Sequence, residues 1–374
     1  MSISKKPREA NMDLLRIVSM LLIVFLHSID HSGVLENAEN CGTGMYLFVR
    51  FTYALCQVCV NIYVMLSGFF MINSKFRLSK LFTLWTEAAF YSFVLKLLFM
   101  LLGKESFSLI SLASCFLPIT TGRYWFLTIY VGMYLLSPFL NICVRAMNRK
   151  QHCVLNLCLF AIMSLWSSIH PAIAGMNSGG GWGLAWFVVL YLLAAWLRLY
   201  YSPKHRPWRW FAMYVSIPAI MAVGQLFARK MGIGILNSVI SNWFSYDSAP
   251  VYIMTVCLFV GFMNVRINIR WLSKAIVFVA PLTLGVYLIH AHANVSPWSW
   301  EFLNLPAKMN SVVFPLVQLA CVVGIFVICA AIAFVRNITL GRLENGKWVT
   351  GLWDKIESTS RGVLLKMISK GQEK

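Results

Sequence analysis

Long apolar runs separated by short polar breaks dominate the hydrophobic pattern of this chain. Runs of about 20 apolar residues are long enough to cross the hydrocarbon core of a bilayer as helices. The pattern therefore predicts an all-α, polytopic integral membrane protein with about ten transmembrane helices. The approximate limits of the predicted segments are 13–31, 46–73, 81–102, 123–143, 153–169, 183–201, 211–228, 247–264, 275–292 and 311–335.

The composition supports the same class. Of the 374 residues, 59% are hydrophobic and 12% are charged, and the mean hydropathy is +0.71. A soluble domain has about half apolar and a quarter charged residues. The basic N-terminus (Lys5, Lys6 and Arg8) precedes an apolar run that lacks a small-residue cleavage site. We therefore expect the first segment to stay in the protein rather than to be removed as a signal peptide.

The net charge of +19 first suggests a nucleic-acid partner, but the placement of the basic residues favours a topology signal. Lysine and arginine are concentrated in alternate connections, which predicts that both termini are cytoplasmic and that no nucleic acid is bound. The basic connections contain Lys75, Arg77, Lys80, Arg145, Arg149, Lys150, Lys204, Arg206, Arg209, Arg266, Arg270 and Lys274. The opposite connections contain only Lys104, Arg123, Arg229, Lys230 and Lys308, with Arg50 near an outer end.

We divide the chain into a membrane domain, residues 1–335, and a basic amphipathic tail, residues 336–374. The tail is expected to lie on the anionic surface of the cytoplasmic leaflet. One predicted outer connection, "HPAIAGMNSGGGWG" at 170–183, is rich in glycine, and another, 293–310, contains "SPWSWEFLNLP". Tryptophan at a membrane edge is usually an interfacial anchor, although it can also stack on a sugar ring.

The first segment carries charged side chains that are costly in a membrane. In "NMDLLRIVSMLLIVFLHSID", residues 11–30, these are Asp13, Arg16, His27 and Asp30. At 100° per residue, Arg16 and His27 differ by only about 20° and lie roughly 16 Å apart along the axis. Asp13 and Asp30 are each three residues from one of them, so the four form one polar stripe. The stripe must face protein or water rather than lipid.

This stripe has a chemical interpretation and a structural one. A histidine near neutral pKa suits proton transfer, and Asp30 could orient His27. Arg16 and Asp13 could equally be packing groups, with Arg16 reaching the cytoplasmic edge. His27, Asp30 and His31 could hold a metal ion, but no further strong ligand is evident near them. The cysteine pair in "CQVC" at 56–59 has no second cysteine pair to complete a zinc site, so we predict no metal.

Other polar groups occur inside the predicted segments. Glu87 has no neighbouring partner in sequence, and His290 in "PLTLGVYLIHAH" is either a second active-site group or a capped helix end. Pro281 is expected to kink that helix. Asn61 and Ser67, in "NIYVMLSGFF", are expected to form hydrogen bonds between helices.

Several stretches in order resemble a known family, the bacterial membrane acyltransferases of family 3, which include polysaccharide O-acetyltransferases. The opening "NMDLLRIVSMLLIVFLH" resembles the first helix of that family, and "VNIYVMLSGFF" resembles the second. "YWFLTIYVGMYLLSPFLN", "GWGLAWFVVLYLLAAWLRLY" and "LGVYLIHAH" are similar to later helices. The resemblance extends from about residue 11 to residue 292.

The resemblance implies transfer of an acetyl group from cytoplasmic acetyl-coenzyme A to a sugar hydroxyl on the outer side of a bacterial inner membrane. It implies that Arg16 and His27 are the essential pair. The family also carries an Arg-x-x-Arg pattern after its second helix. Here the nearest match is Arg77-x-x-Lys80, in which lysine keeps the charge but loses the bidentate fork.

A mechanism of this kind needs a base, cations for the phosphates of the donor and donors for the oxyanion. His27, oriented by Asp30, is the candidate base, and a transient acetyl-His27 is the alternative. Arg16, Arg77, Lys80 and Arg145 are the candidates for the coenzyme phosphates. Tyr124, Trp125 and Tyr287 are candidates for the oxyanion, with Glu87 and His290 as further substrate contacts. We also expect a cavity that is open to both faces of the membrane and lets the donor reach inward to His27.

Two other classes remain open from the sequence. A transporter or flippase of lipid-linked sugars would also have about ten spans with interior charges, but it often shows inverted repeats, which are not evident here. A polysaccharide polymerase usually needs larger outer loops. The acceptor is expected to be a cell-surface polysaccharide, such as O-antigen, capsule or common antigen, or its lipid-linked precursor. The sequence does not indicate an oligomeric state.

Overall fold

The computed structural model describes residues 9–169, 179–344, 346, 351–353, 355–356 and 358–359. Within those residues the regular structure is helical, without strands, as predicted. The first helices are α1 (Ala10–Asp30), α2 (Val34–Asn37), α3 (Thr43–Cys56), α4 (Cys59–Met71), α5 (Leu78–Leu101), α6 (Leu109–Ala113), α7 (Trp125–Ala146), α8 (Arg149–Phe160) and α9 (Trp166–Ile169). They are followed by α10 (Leu184–Tyr200), α11 (Pro207–Met231), α12 (Gly234–Asn242), α13 (Ala249–Met263), α14 (Arg270–Val279), α15 (Thr283–His290), α16 (Val295–Leu303) and α17 (Phe314–Glu344).

The helices account for all ten predicted segments. Eight helical stretches in the described residues are long and apolar enough to cross a membrane: Ala10–Asp30, Thr43–Met71, Leu78–Leu101, Trp125–Ala146, Arg149–Ile169, Pro207–Met231, Arg270–His290 and Phe314–Arg342. The other two predicted segments correspond to α10 and α13, which are apolar but shorter. Most residues of these two helices are buried inside the bundle, so neighbouring helices rather than lipid cover them. The chain is a multi-pass membrane protein.

The first helix lies at the centre of the bundle. It packs against α3, α4, α13, α14, α15 and α17. This position explains how a membrane helix can carry four charged or titratable side chains, because the polar stripe faces other helices and the central cavity described below instead of lipid.

Proline breaks one of the spanning stretches, as expected. Ala280–Leu282 forms a 3₁₀ turn around Pro281 between α14 and α15. Proline lacks the amide hydrogen and its ring crowds the preceding turn, which favours an interruption of the α-helical hydrogen bonds. Pro138 in α7 and Pro218 in α11 lie inside continuous helices, so proline alone does not dictate such a break. Ala280 and Pro281 line the central cavity described below.

The C-terminal helix is longer than the hydrophobic pattern indicated. α17 continues to Glu344, nine residues past the predicted end at 335. The remainder of the predicted tail lies outside the described residues, except for 346, 351–353, 355–356 and 358–359. Most of the glycine-rich connection, 170–178, also lies outside them.

Candidate active site

A cavity of about 850 Å³ extends along one face of α1. Arg16, Met20, Ile23, His27 and His31 line it, so it follows the helix for about 22 Å. Small-molecule sites in proteins have volumes of about 300–1,000 Å³. We call this space the central cavity and name its two ends after Arg16 and His31.

The Arg16 end is built from charged and phenolic side chains. Arg16 Nη1 donates to Asp13 Oδ1 at 3.3 Å, and Asp13 is buried beside it. The Tyr63 hydroxyl donates to the backbone carbonyl of Arg16 at 3.1 Å, which ties α4 to α1. Tyr63, Ser67 and Tyr130 also line this end, so the Arg16 guanidinium reaches a polar pocket.

Three histidines meet near the other end of α1. The rings of His27 and His31 stack with centroids 4.3 Å apart, and the rings of His27 and His290 lie 5.0 Å apart. His290, from α15, is 2% exposed, and its Nδ1 is 2.6 Å from the Val286 carbonyl. His290 is the last residue of α15, so the structure places it both at a helix end and next to the candidate base.

The two facing histidines have unused nitrogens. His27 Nδ1 and His290 Nε2 are both buried and have no hydrogen-bond partner among the described residues. A carbonyl only accepts, so His290 Nδ1 carries the hydrogen and its Nε2 is an acceptor in the neutral ring. A hydrogen on His27 Nδ1 would suit that acceptor and would leave a lone pair on His27 Nε2.

Asp30 lies beside His31 rather than against His27. Its Oδ2 is 4.0 Å from His31 Nε2, and its side chain is 46% exposed. His31 Nδ1 in turn is 3.3 Å from the Ser296 hydroxyl. Asp30 lines the central cavity, but His290 and His31, rather than Asp30, make the ring contacts of His27.

The three aromatic candidates line the central cavity. The Tyr124 hydroxyl donates to the Leu288 carbonyl at 2.9 Å, so its hydrogen is engaged with the backbone. The ring of Tyr287 lies 6.3 Å from that of His290. Trp125 packs against Trp182, with centroids 4.2 Å apart. Tyr287 and Trp125 are therefore better candidates for substrate contact than Tyr124, whose hydroxyl hydrogen is already donated to a backbone carbonyl.

The remaining candidates do not line this cavity. Arg145 donates to the Ile72 carbonyl at 3.0 Å and borders a separate pocket of about 210 Å³. Arg77 and Lys80 are exposed at the start of α5, where the Arg77 backbone pairs with the Tyr134 hydroxyl at 3.0 Å. Glu87 is buried between α5 and α17, within electrostatic range of Arg336.

Sequence reasoning missed several residues of the site. Arg50, Trp182 and Tyr246 line the His31 end, and Tyr63 lines the other. Arg50 is paired with Glu39, whose Oε1 lies 2.5 Å from Arg50 Nη2. No periodic signal marks these residues, because they come from connections and from helices far apart in the chain.

The fold and this cavity define a helical membrane protein with a titratable cluster in a buried pocket. The family model of the acyltransferase domain, acyltransferase family 3, matches residues 9–334. The chain belongs to that family, which makes it a membrane acyltransferase. No curated protein and no solved structure gave a match.

Proposed function

We propose that this protein is an O-acetyltransferase that moves an acetyl group from acetyl-coenzyme A to a hydroxyl of a cell-surface polysaccharide or of its lipid-linked precursor. The observation that carries the proposal is the central cavity, which connects an arginine at one end of α1 with a histidine cluster at the other. A donor with an anionic head and a long flexible arm matches that layout. The bacterial inner membrane is the proposed location.

The Arg16 end is the proposed entry for the donor. The guanidinium of Arg16 can hold a phosphate oxygen by charge-assisted hydrogen bonds. Arg77 and Lys80, exposed on the same predicted cytoplasmic side, are suited to the outer phosphates, and Arg145 near them lies in its own pocket. From Arg16 the pantetheine arm would extend along α1 towards His27, about 16 Å away along the helix axis.

At the His31 end the proposed chemistry is acyl transfer to an alcohol. His27 Nε2 takes the proton of the acceptor hydroxyl while the oxygen of that hydroxyl attacks the carbonyl carbon of the thioester. The carbon–sulfur bond then breaks, and coenzyme A leaves as the thiol after taking up that proton from His27. The alternative order, in which His27 first accepts the acetyl group and then passes it to the hydroxyl, uses the same residues.

His290 supports either order. As a buried ring whose Nε2 can accept a hydrogen bond, it is suited to hold His27 in the tautomer with a free Nε2. Direct imidazole-to-imidazole hydrogen bonds place ring centroids about 5 Å apart, from a donor–acceptor distance of ~2.9 Å and the size of the rings. The observed separation of 5.0 Å is compatible with such a contact after a small rotation.

The test is a transfer assay with purified protein in detergent. Radiolabelled acetyl-coenzyme A is supplied with surface polysaccharide that mild alkali has freed of its esters. We expect alkali-labile label on the polysaccharide with the wild type and none with His27→Ala. His205→Asn is the matched control, since His205 lies in a connection away from the cavity, at a positive φ that asparagine tolerates.

Each outcome has a distinct meaning. Label with both the wild type and His27→Ala would keep the reaction and remove His27 as its base. If the wild type transfers no label from acetyl-coenzyme A but does so from another acyl-coenzyme A, the transferred group is that other acyl group and not acetyl. No label from any acyl donor would contradict acyl transfer to polysaccharide and favour a transport function.

A further inference from the structure

Three aromatic side chains form a continuous surface at the His31 end of the central cavity. Trp182 lies 4.2 Å from Trp125 and 5.6 Å from Tyr246, measured between ring centroids. The rings of Trp125 and Tyr246 are stacked with centroids 6.5 Å apart. All three line the cavity. We call Trp125, Trp182 and Tyr246 the aromatic wall.

The backbone before Trp182 is shaped to bring its ring to this position. Gly179, Gly180 and Gly181 have φ angles of 67°, 71° and 88°, which other residues rarely adopt. A Cβ on Gly181 would lie 2.6 Å from Tyr246 Cβ and 3.1 Å from the Asp247 nitrogen. Only glycine therefore lets this connection pass close over Tyr246 and place the next side chain against Trp125.

Tyr246 is also held in place by buried polar contacts. Asn61 is 0% exposed and donates to the Tyr246 carbonyl at 2.7 Å and to the Thr255 hydroxyl at 3.2 Å. Trp186 Nε1 donates to Asn61 Oδ1 at 3.0 Å. Asn61 thus connects α4 with α10, with α13 and with the backbone of Tyr246 behind the aromatic wall. This confirms the hydrogen bond between helices that was predicted for Asn61. A binding surface gains precision when such contacts fix it from behind.

The wall keeps an open aromatic face beside polar groups. Trp182 is 50% exposed, although it packs against two other rings. Asp30, His31 and Arg50 line the same part of the cavity. A pyranose ring has matching chemistry, since one face consists of C–H groups and its edge carries hydroxyls. Aromatic side chains combine a large apolar face with electron-rich character, which suits such a face.

We infer that the aromatic wall is the acceptor subsite, where the C–H face of a sugar ring stacks on Trp182 and Trp125. The hydroxyl-bearing edge of that ring then points towards the histidine cluster, and Asp30 and Arg50 are within the same space to bind neighbouring hydroxyls. This inference rests on the proposed function, because it assigns the acceptor its position. It also predicts that the wall contributes to acceptor affinity and not to binding of the donor.

The test compares two exposed tryptophans. Trp182→Ala removes a ring that faces the cavity, and Trp298→Ala removes a ring of nearly equal exposure, 49%, which packs on Phe99 and Phe302 outside it. The probe is the de-esterified surface polysaccharide in the transfer assay. We expect Trp182→Ala to raise the KM for polysaccharide about fivefold to tenfold. The KM for acetyl-coenzyme A should stay within twofold, as should both values for Trp298→Ala.

Two further variants separate stacking from loss of structure. Trp182→Phe keeps an aromatic face and should recover most of the acceptor affinity. Gly181→Ala moves the connection without removing any ring, and it should raise the KM for polysaccharide in the same way as Trp182→Ala. An unchanged KM in Trp182→Ala, or an equal rise in the KM for both substrates, would overturn the subsite.

A binding measurement distinguishes failure of the subsite from failure of the proposed function. Binding of the same polysaccharide to the purified protein is measured by microscale thermophoresis, without any acyl donor. Binding that weakens in Trp182→Ala supports the subsite even if the wild type transfers no acetyl group. Equal binding by the wild type and Trp182→Ala, or no binding by either, would overturn it.

Discussion

His27 and His290 face each other across 5.0 Å, and each has a buried nitrogen without a hydrogen-bond partner among the described residues. His27 belongs to α1 and His290 to α15. Their separation in sequence is large, yet packing of α1 against α15 brings them together. Under the proposed function, this pair sets which nitrogen of His27 carries the hydrogen and which one meets the substrate.

Replacement of His290 tests that relationship. We expect His290→Ala to lower kcat about 10²-fold, because a base that is no longer held in position loses its alignment with the hydroxyl. The KM for acetyl-coenzyme A should change less than twofold. His290→Asn, whose amide can still accept a hydrogen bond, should recover part of kcat. A fall in thermal stability that accounts for the whole loss, without rescue by asparagine, would assign His290 a structural role only.

Replacement of Asp30 tests whether this carboxylate orients His27 or only contacts His31. If Asp30 oriented His27 as in a catalytic triad, Asp30→Asn would lower kcat about 10⁴-fold. In the structure its neighbour is His31, at 4.0 Å, and its side chain is 46% exposed. We therefore expect a loss of less than about tenfold, measured as kcat in the transfer assay. A loss near 10⁴-fold would show that Asp30 reaches His27 in the working enzyme.

Arg16 is predicted to recognise the donor through its phosphates. Removal of a charge-assisted hydrogen bond costs about 1.5–3 kcal/mol, so Arg16→Ala should raise the KM for acetyl-coenzyme A about 10- to 100-fold. Acetyl-pantetheine lacks the phosphates, and the wild type and Arg16→Ala should use it equally well. Arg209→Ala, an exposed arginine outside the cavity, is the control. A defect of equal size with both donors would contradict phosphate recognition by Arg16.

Glu105 is predicted to stabilise the connection that follows α5. The hydrogen bond from Lys96 holds the pKa of the Glu105 carboxyl below its usual value, and Glu105 Oε2 also accepts from Asn294 at 2.9 Å. A carboxyl with a lowered pKa stabilises the fold above its unfolded pKa of about 4.3, and this contribution is lost as the pH falls through the folded value. Glu105→Gln should therefore lower the unfolding midpoint by a few degrees at neutral pH.

The pH dependence of that difference is the critical observation. Thermal unfolding in detergent should show the gap between Glu105→Gln and the wild type narrowing as the pH falls below about 4. Glu301→Gln, at an exposed position on α16, should match the wild type throughout. Equal midpoints at neutral pH, or a gap that widens in acid, would contradict a stabilising ion pair at Glu105.

The helices and the polar face of α1 could be predicted from the sequence because both depend on local properties. Spanning length and helical period are local properties, so ten segments and the shared face of Arg16 and His27 follow from the chain itself. The structure places both residues along the same cavity. A break at Pro281 is expected from the chemistry of proline, but Pro138 and Pro218 lie inside continuous helices, so the residue alone does not dictate it.

Contacts between distant segments could not be predicted from such local patterns. Trp182 and Tyr246 come from connections that have no apolar period, and their meeting depends on how Gly181 passes over Tyr246. Glu87 appeared as a possible substrate contact because it is a charge inside a segment, but it lies near Arg336 and away from the cavity lining. Arg145 was grouped with the donor cations by its side of the membrane, whereas it borders a separate pocket.

Ester-linked acetate on the surface polysaccharide of living cells is the decisive readout for the proposed acetyl transfer. It is measured by NMR before and after mild alkali in cells that carry the wild type, His27→Ala or no copy of the protein, with membrane levels confirmed. We expect alkali-labile acetate with the wild type only. Equal acetate signals in all three strains, with both proteins present in the membrane, would contradict it.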